Sequence, residues 1–470
     1  MTERENQKLA SEAFQPRRRQ VDLRLVPMGF VAIILVGAVL LMLPWAHNPG
    51  HSIGWLDSLF LATSATCVTG LSTVNVAEMF NGFGQAVLLV LIQAGGLGIF
   101  TASLSLVLLS GNRLSLSDEQ TIHATVGRLK QARPLDVFIY ACVFVVILEL
   151  AGTVALFTLM SRANPAADTW QTLWESVFHS VSAFCNAGIS IYPDNLAHWR
   201  EHPAILAVVS ILVILGGIGL MTLINLRFYY FWRRDPRRRG RLTMQTRLSV
   251  LSAGALLLIG GVATWIFESN HTLAGKGWSD QISWSFFHSA MTRTAGFNVV
   301  DTGQMNPPTL LCTVGLMFVG GAPGSMAGGI KTITFVVLLL TAWSAFRRRD
   351  EIQFWNRRLP PKVSYVATMI TLFGAACVVV GIGLLMVFED GKPASQTHQR
   401  WMAVVFEAVS AFGTVGLSTG VTPLLTAGGK IVIVALMFTG RIAPLVLAVY
   451  LARPANALLV RQPREELALG

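Results

Sequence analysis

The chain has 470 residues, of which 53% are hydrophobic and only 13% charged, with a net charge of +11. That composition, with a mean hydropathy of +0.56, excludes an ordinary soluble globular protein and points to a polytopic membrane protein. The basic excess would suit nucleic acid, but its confinement to alternate loops, set out below, excludes that partner in favour of a lipid membrane.

Residues 1–24 are polar, with Pro16-Arg17-Arg18-Arg19 as a basic anchor, and read as a cytoplasmic amino-terminal tail. They run straight into a full-length apolar segment, so no cleavable signal and no extra preceding span are expected. Eight apolar runs follow, at 25–46, 86–109, 137–160, 204–226, 248–267, 309–342, 363–388 and 431–452. Each is long enough for a hydrocarbon core of about 30 Å.

One stretch recurs through this pattern. Ser64-Ala65-Thr66-Cys67-Val68-Thr69-Gly70-Leu71 is echoed by Phe184-Cys185-Asn186-Ala187-Gly188-Ile189, Thr292-Arg293-Thr294-Ala295-Gly296-Phe297 and Phe412-Gly413-Thr414-Val415-Gly416-Leu417. The glycines at 70, 188, 296 and 416 are spaced by 118, 108 and 120 residues, which implies four divergent copies of one unit. Before each stretch lies an apolar segment too short to cross a membrane: Trp55 to Ser64, Trp170 to Ser182, Trp278 to Met291 and Trp401 to Ser410. Such a segment goes in and comes back, which is tolerated only inside protein or along water. The fold expected is therefore an all-α membrane protein of four span–pore helix–span repeats, with eight transmembrane helices and four re-entrant pore helices around one central pore.

In chain order the expected organisation is the tail 1–24, repeat 1 over 25–110, and a cytoplasmic linker over 111–136. Repeat 2 covers 137–230, a basic cytoplasmic linker 231–247, and repeat 3 248–346 with an intramembrane gating loop at 320–332. A cytoplasmic linker over 347–362, repeat 4 over 363–452 and a cytoplasmic carboxy-terminal tail over 453–470 complete the chain. No soluble regulatory domain is expected on this polypeptide. With both termini cytoplasmic, Arg237-Arg238-Arg239 and Arg347-Arg348-Arg349 fall on the cytoplasmic side, where they face anionic lipid. External loops hold few basic residues, and the tryptophans gather at span ends as interfacial belts.

A cation entering such a pore exchanges water for oxygen ligands, and rings of backbone carbonyls supply them in potassium filters. Glycine accepts the positive φ that turning successive carbonyls inward requires. The candidate filter residues are Val68, Thr69 and Gly70, then Asn186, Ala187 and Gly188, then Thr294, Ala295 and Gly296, and finally Thr414, Val415 and Gly416. Hydroxyls of Thr66, Thr69, Thr292, Thr294 and Thr414 add oxygens. The short helices would aim their negative carboxy-terminal ends at the cavity. Asp57, Glu175 and Glu407, near the entrance, either attract cations or are solvated or capping residues. Cys67 and Cys185 read as small packing residues, since the cysteine spacing fits neither a disulfide framework nor zinc.

The last span of each repeat carries a second motif. Gly95-Gly96-Leu97-Gly98 and Gly216-Gly217-Ile218-Gly219 suit close helix packing. In the third repeat Gly320, Gly321, Ala322, Pro323, Gly324, Ser325, Gly328 and Gly329 break the helix into an intramembrane loop, the candidate gate. The fourth copy is Gly440-Arg441-Ile442-Ala443-Pro444. Lys331 and Arg441 are cations within spans. Below a filter either would bond loop carbonyls and raise a barrier to cations, while Lys331 also fits snorkelling to the cytoplasm. The run 324–332 nearly spells a P-loop, but Ile330 separates glycine from lysine and no nucleotide is expected there. Arg293 is expected to prop the third loop by bonding carbonyls or a carboxylate. For Glu149, mid-span, helix packing and an ion site both stay open.

These motifs resemble the Trk/Ktr/HKT superfamily of potassium transporters over residues 25–452. The four stretches look like its filters, 320–332 like its gating loop, and Arg441 like its fourth-repeat arginine. Eight spans without an additional amino-terminal pair are similar to Ktr membrane subunits. That resemblance implies potassium uptake across the bacterial inner membrane and a homodimer with one pore per subunit. It also implies a cytosolic ring of nucleotide-binding RCK subunits, and sodium as a coupling or activating ion. Potassium would be the substrate, with no covalently bound cofactor and no enzyme activity. Two rivals are an autonomous monovalent cation channel without a regulatory partner, and a membrane-embedded enzyme or proton-coupled carrier. The latter would need Glu149, His179 and His288 to converge.

Overall fold

The computed structural model describes residues 25–109, 134–231, 242–349, 351–355, 357–391 and 400–452. The expected tails 1–24 and 453–470, nearly all of the linker 111–136 and most of the basic linker 231–247 lie outside the described residues.

Among the described residues the helices of twelve residues or more are α1 (Leu25–Met42), α2 (Trp55–Thr66), α3 (Gly82–Leu109), α4 (Pro134–Ala163), α5 (Thr169–Phe184), α6 (Pro203–Ile218) and α7 (Leu220–Phe231). They continue with α8 (Met244–Glu268), α9 (Trp278–Met291), α10 (Pro307–Phe318), α11 (Thr332–Phe346), α12 (Pro361–Phe388), α13 (Arg400–Gly413) and α14 (Ala427–Ala452). Among the described residues the sheet content is a two-residue antiparallel pairing, β1 (Gln353–Phe354) with β2 (Arg357–Arg358). Local chemistry sets several starts. Asp168 caps α5 by accepting from Gln171 N at 3.0 Å, and Pro203, Pro307 and Pro361 open α6, α10 and α12, where a missing N–H costs nothing.

Among the described residues four helices are long and apolar enough to cross a membrane: Ile139–Ala163, Met244–Glu268, Pro361–Phe388 and Ala427–Leu447. The pair Pro203–Ile218 and Leu220–Arg227, bent by 99° at a one-residue break, makes a fifth when the two are counted as one span. The other expected runs are helical too: α1 and α3, whose apolar parts among the described residues are Val26–Met42 and Gly82–Gly98, and the shorter α10 (Pro307–Phe318) and α11 (Thr332–Phe346), the last two separated by a non-helical loop. Large apolar side chains such as Leu150, Val154, Ile259, Val379 and Val387 face outward, as lipid contact requires and water disfavours.

The short helices are the buried centre. Phe60, Phe178 and Phe406 are fully enclosed, and Phe287 is nearly so. Packing between successive parts of the chain is cyclic: α3 lies against α5, α6 against α9, α10 against α13, and α14 against α2. The last contact joins the two ends of the sequence and closes a ring.

Two acidic residues fasten the ring at helix starts. The Glu268 carboxylate, at the end of α8, accepts from Asn306 N at 2.8 Å, Thr272 Oγ1 at 2.8 Å and Thr309 Oγ1, clamping the start of α10. Glu389, just past α12, accepts from Thr426 N and Oγ1 at 2.9 and 2.8 Å before α14. An anion at a helix amino terminus is favoured by the unpaired N–H groups there. Glu268→Ala strands those donors, so it is expected to cost about 2–4 kcal/mol and lower the melting temperature of the detergent-solubilised protein. An unshifted melting curve would show that the clamp contributes nothing.

Candidate functional site

The four repeated stretches come together. A Cβ added to Gly70 would lie 2.5 Å from Ala187 O, and one on Gly188 2.3 Å from Ala295 O. One on Gly296 would lie 2.5 Å from Val415 O, and one on Gly416 2.2 Å from Thr69 O. Each glycine thus faces the carbonyl of the next loop, and the order 70, 188, 296, 416 returns to 70. There is no room for a side chain at any of them.

Backbone conformation repeats as faithfully. Val68, Asn186, Thr294 and Thr414, each two residues before its glycine, have φ of 56°, 60°, 67° and 51°. The glycines have φ of 96°, 66°, 65° and 90°, while the residues between are not left-handed. A left-handed non-glycine residue costs about 1–2 kcal/mol, so the same strained position four times over is held by its surroundings for a reason. Alternating hand turns successive peptide groups to one side, which is how a loop presents a row of like dipoles.

Hydrogen bonds from the short helices hold this strain. Thr69 N, Ala187 N and Val415 N donate to Ser64 O, Ser182 O and Ser410 O at 2.8, 2.7 and 2.8 Å. The same serines use their hydroxyls: Ser64 Oγ and Ser410 Oγ accept from Gly70 N and Gly416 N, and Ser182 Oγ and Ser410 Oγ donate to Ile189 O and Leu417 O. Sequence reading gave these serines no role, although each lies six residues before its glycine. The third loop has Ala290 at that offset, and Gly296 N donates instead to Met291 O at 3.3 Å.

Among these threonines, the hydroxyls of Thr66, Thr69, Thr294 and Thr414 are buried without a partner among the described residues. Thr292 differs, since its hydroxyl donates to Ser289 O at 2.7 Å. The Asn186 side chain serves as a tie, its Nδ2 donating to Val213 O and Arg293 O at 3.3 and 3.2 Å. The carboxylates considered as cation attractors are all engaged. Asp57 pairs with Lys430 at 2.6 Å. Glu175 accepts from Tyr192 Oη at 2.7 Å and Gln171 Nε2 at 2.9 Å. Glu407 accepts from Ser418 Oγ, Thr419 N and Thr422 Oγ1 at 2.5, 3.1 and 2.8 Å. Burial, then the neighbouring Glu175, pushes the Tyr192 phenol well above its usual range, so Tyr192 stays a donor.

Residues 320–331 lie between α10 and α11 as a buried loop. Its neck is a parallel bridge, with Gly320 N donating to Ile330 O at 2.8 Å and Thr332 N to Gly321 O at 3.0 Å. The expectation that Gly216-Gly217-Ile218-Gly219 packs within a continuous span is corrected here. The helix breaks at Gly219, whose φ is 96°. The break leaves carbonyls unpaired, and the loop takes them: Ala322 N donates to Gly217 O at 2.9 Å and Met326 N to Gly216 O at 3.1 Å. In return Leu220 N, at the start of α7, donates to Gly324 O at 3.1 Å. Pro323 and Ser325 complete the segment seated there, with Ser325 Oγ buried and unpartnered.

Three cations bond carbonyls of this loop. Arg441, 3% exposed, donates to Met326 O and to Gly95 O, the latter at 3.2 Å. Lys331 Nζ donates to Ala327 O at 2.5 Å, and Arg293 Nη2 to Gly320 O at 3.3 Å. Gly328 and Gly329 pack beneath the fourth stretch, against Thr414 and Gly413. Glu149 does have partners, Gln93 Nε2 at 3.2 Å and Cys185 Sγ at 3.8 Å, and Cys185 Sγ also donates to Gln93 Oε1. No sequence signal could pair residues so far apart.

The groups a proton-transfer chemistry would need do not converge. His179 bonds Glu175 O and Ser190 Oγ, while His288 bonds Thr313 Oγ1. Among the described residues no cluster of three or more His, Cys, Asp or Glu could hold a metal ion.

Comparison with known proteins agrees with a transport role. The family model TrkH, described as cation transport protein, matches residues 6–458. The chain is 34% identical over 460 residues to the potassium/sodium uptake protein NtpJ of Enterococcus hirae, covering 97% of this chain and 98% of the relative. It is 33% identical over 449 residues to the Ktr system potassium uptake protein B of Bacillus subtilis, covering 95% and 96%. Its fold is similar to the crystal structure of the potassium transporter TrkH from Vibrio parahaemolyticus, with a TM-score of 0.67 at 16% identity over 92% of this chain and 86% of that one. The chain therefore belongs to the TrkH family of cation transport proteins, whose members are transporters rather than enzymes.

Proposed function

We propose that this chain is a potassium uptake subunit of the bacterial inner membrane. Its filter is the ring built from Val68 to Gly70, Asn186 to Gly188, Thr294 to Gly296 and Thr414 to Gly416. Potassium sheds part of its water there for backbone carbonyls, and the unpartnered hydroxyls of Thr69, Thr294 and Thr414 add to the oxygen supply. The gate is the loop from Gly320 to Gly329 with Lys331 and Arg441. In this reading the chain forms four span–pore helix–span repeats, with eight spans and both termini in the cytoplasm, divided at the boundaries expected from the sequence. A homodimer, a cytosolic nucleotide-binding ring and sodium dependence complete it, and the names of the Ktr and potassium/sodium relatives support a multicomponent system handling both ions.

One observation carries the proposal: four glycines, each facing a carbonyl of the next loop, with the same left-handed residue two positions earlier in all four. The test is flux in proteoliposomes. Rubidium uptake is expected to exceed sodium uptake, and equal permeation of both ions would sink the selectivity claim. Arg441→Ala, which releases Met326 O and Gly95 O, is expected to raise rubidium uptake, as is shortening of the 320–329 loop. Unchanged flux in both variants would remove the gate.

A further inference from the structure

Arg293 occupies a position that neither a filter nor a gate by itself accounts for. It directly precedes the left-handed Thr294, is 9% exposed, and among the described residues makes a single side-chain hydrogen bond, from Nη2 to Gly320 O. Its Nε and Nη1 are buried and unpartnered, and among the described residues no carboxylate pairs with it. A guanidinium offers five donors, and burying one on a single neutral acceptor is costly. A lipid-facing or purely packing position would be filled more cheaply by an apolar residue of similar size. The bond Arg293 does make is therefore the part that needs explaining.

That bond joins two assemblies. On one side, Arg293 O accepts from Asn186 Nδ2, and two residues later Ala295 O abuts Gly188, so the backbone of Arg293 is fixed to the second loop of the ring. On the other side, Gly320 is the first residue of the loop's neck, where its N–H closes the bridge to Ile330. Arg441 and Lys331 hold the far part of the same loop, at Met326 O and Ala327 O. Arg293 is thus the cation that grips the neck, and it does so from inside the ring.

We propose that Arg293 is a positioning residue that couples the ring to the loop: a shift of the third stretch on ion exchange is transmitted through its guanidinium to Gly320 and so to the neck. This rests on the reading of the ring as filter and the loop as gate. A contact network of packed and hydrogen-bonded groups is a physical carrier of such coupling, and a coupling of about 1–3 kcal/mol corresponds to roughly 5–150-fold in equilibrium.

A double-mutant cycle in proteoliposomes tests it, with rubidium uptake and the rubidium-to-sodium ratio measured for the parent, Arg293→Gln, a protein lacking residues 323–327, and the combination. Arg293→Gln is expected to raise uptake about five-fold or more in the intact chain and to have no further effect once the loop is shortened. Arg293→Lys, which keeps the charge but not the planar fork, is expected to raise uptake less, and it replaces the glutamine variant in the cycle if that variant does not fold. An effect of the same factor in both backgrounds, or a fall in the ion ratio without a rise in uptake, would make Arg293 a filter prop and overturn the coupling. A shortened protein no faster than the parent overturns the gate itself, and the coupling with it.

Discussion

Gly70→Ser is expected to lower the rubidium-to-sodium flux ratio about ten-fold, a differential of about 1.4 kcal/mol between the two ions. Gly70 has a φ of 96°, and the new Cβ would lie 2.5 Å from Ala187 O and 3.3 Å from the Cα atoms of Gly188 and Gly416. Relief requires either loop 1 to abandon its left-handed conformation or loop 2 to retreat. Both enlarge or distort the ring, and if the ring is the filter proposed above, one that no longer fits a partly dehydrated potassium ion discriminates less against sodium. Ser64 Oγ, which accepts from Gly70 N at 3.0 Å, would lose its geometry in the same step. The measurement is paired rubidium and sodium uptake by proteoliposomes at equal protein incorporation. A preserved ratio with reduced rates would mean that Gly70 limits throughput and that selection occurs elsewhere.

Gly440→Val is expected to abolish transport by preventing assembly of the ring. On α14 the added Cβ would sit 1.8 Å from Phe412 O, on the helix that enters the fourth loop. No rotamer change relieves a clash between a Cβ and a backbone carbonyl, so the two helices must separate. Overpacking a tight core costs about 1–3 kcal/mol even when side chains can move. A Cβ added at Gly95 or Gly216 would likewise lie 1.9 Å from Thr66 O or Phe184 O, so three helices meet the short helices at contacts of one kind. Gly383→Val on α12 is the control, because nothing lies within 4 Å of that position. Size-exclusion profiles and rubidium uptake should be lost for Gly440→Val and kept for Gly383→Val. A folded, active Gly440→Val protein would show that the helix and loop can part without consequence.

The sequence located the four glycine stretches well but assigned their side chains unevenly. Asn186 stands in a proposed filter by position, yet its amide ties the second stretch to Val213 O and Arg293 O. The serines that hold the loops were visible as letters at a constant offset, and only their hydrogen bonds gave that offset a meaning. The motif at 216–219 packs closely at Gly216, as expected, but at Gly219 the span expected to be continuous breaks. A glycine-rich motif inside an apolar run is compatible with close packing and with a break, and composition does not separate them. The break arises because the 320–331 loop supplies N–H groups for Gly216 O and Gly217 O, and that loop belongs to a segment about a hundred residues away.

By itself, then, the sequence determined what depends on local order: apolar runs, short helices, and the glycine that takes a positive φ at the end of each repeated stretch. It also determined that the loop at 320–331 interrupts a helix, because five glycines and a proline disfavour helix within any environment. Only the tertiary structure decided which carbonyl each glycine faces, where the cations Arg293, Lys331 and Arg441 spend their donors, and that Glu149 meets Gln93 and Cys185. Those are contacts between segments far apart in the chain. Their partners are chosen by the cyclic packing of the helices, a property of the assembled ring that no single stretch contains.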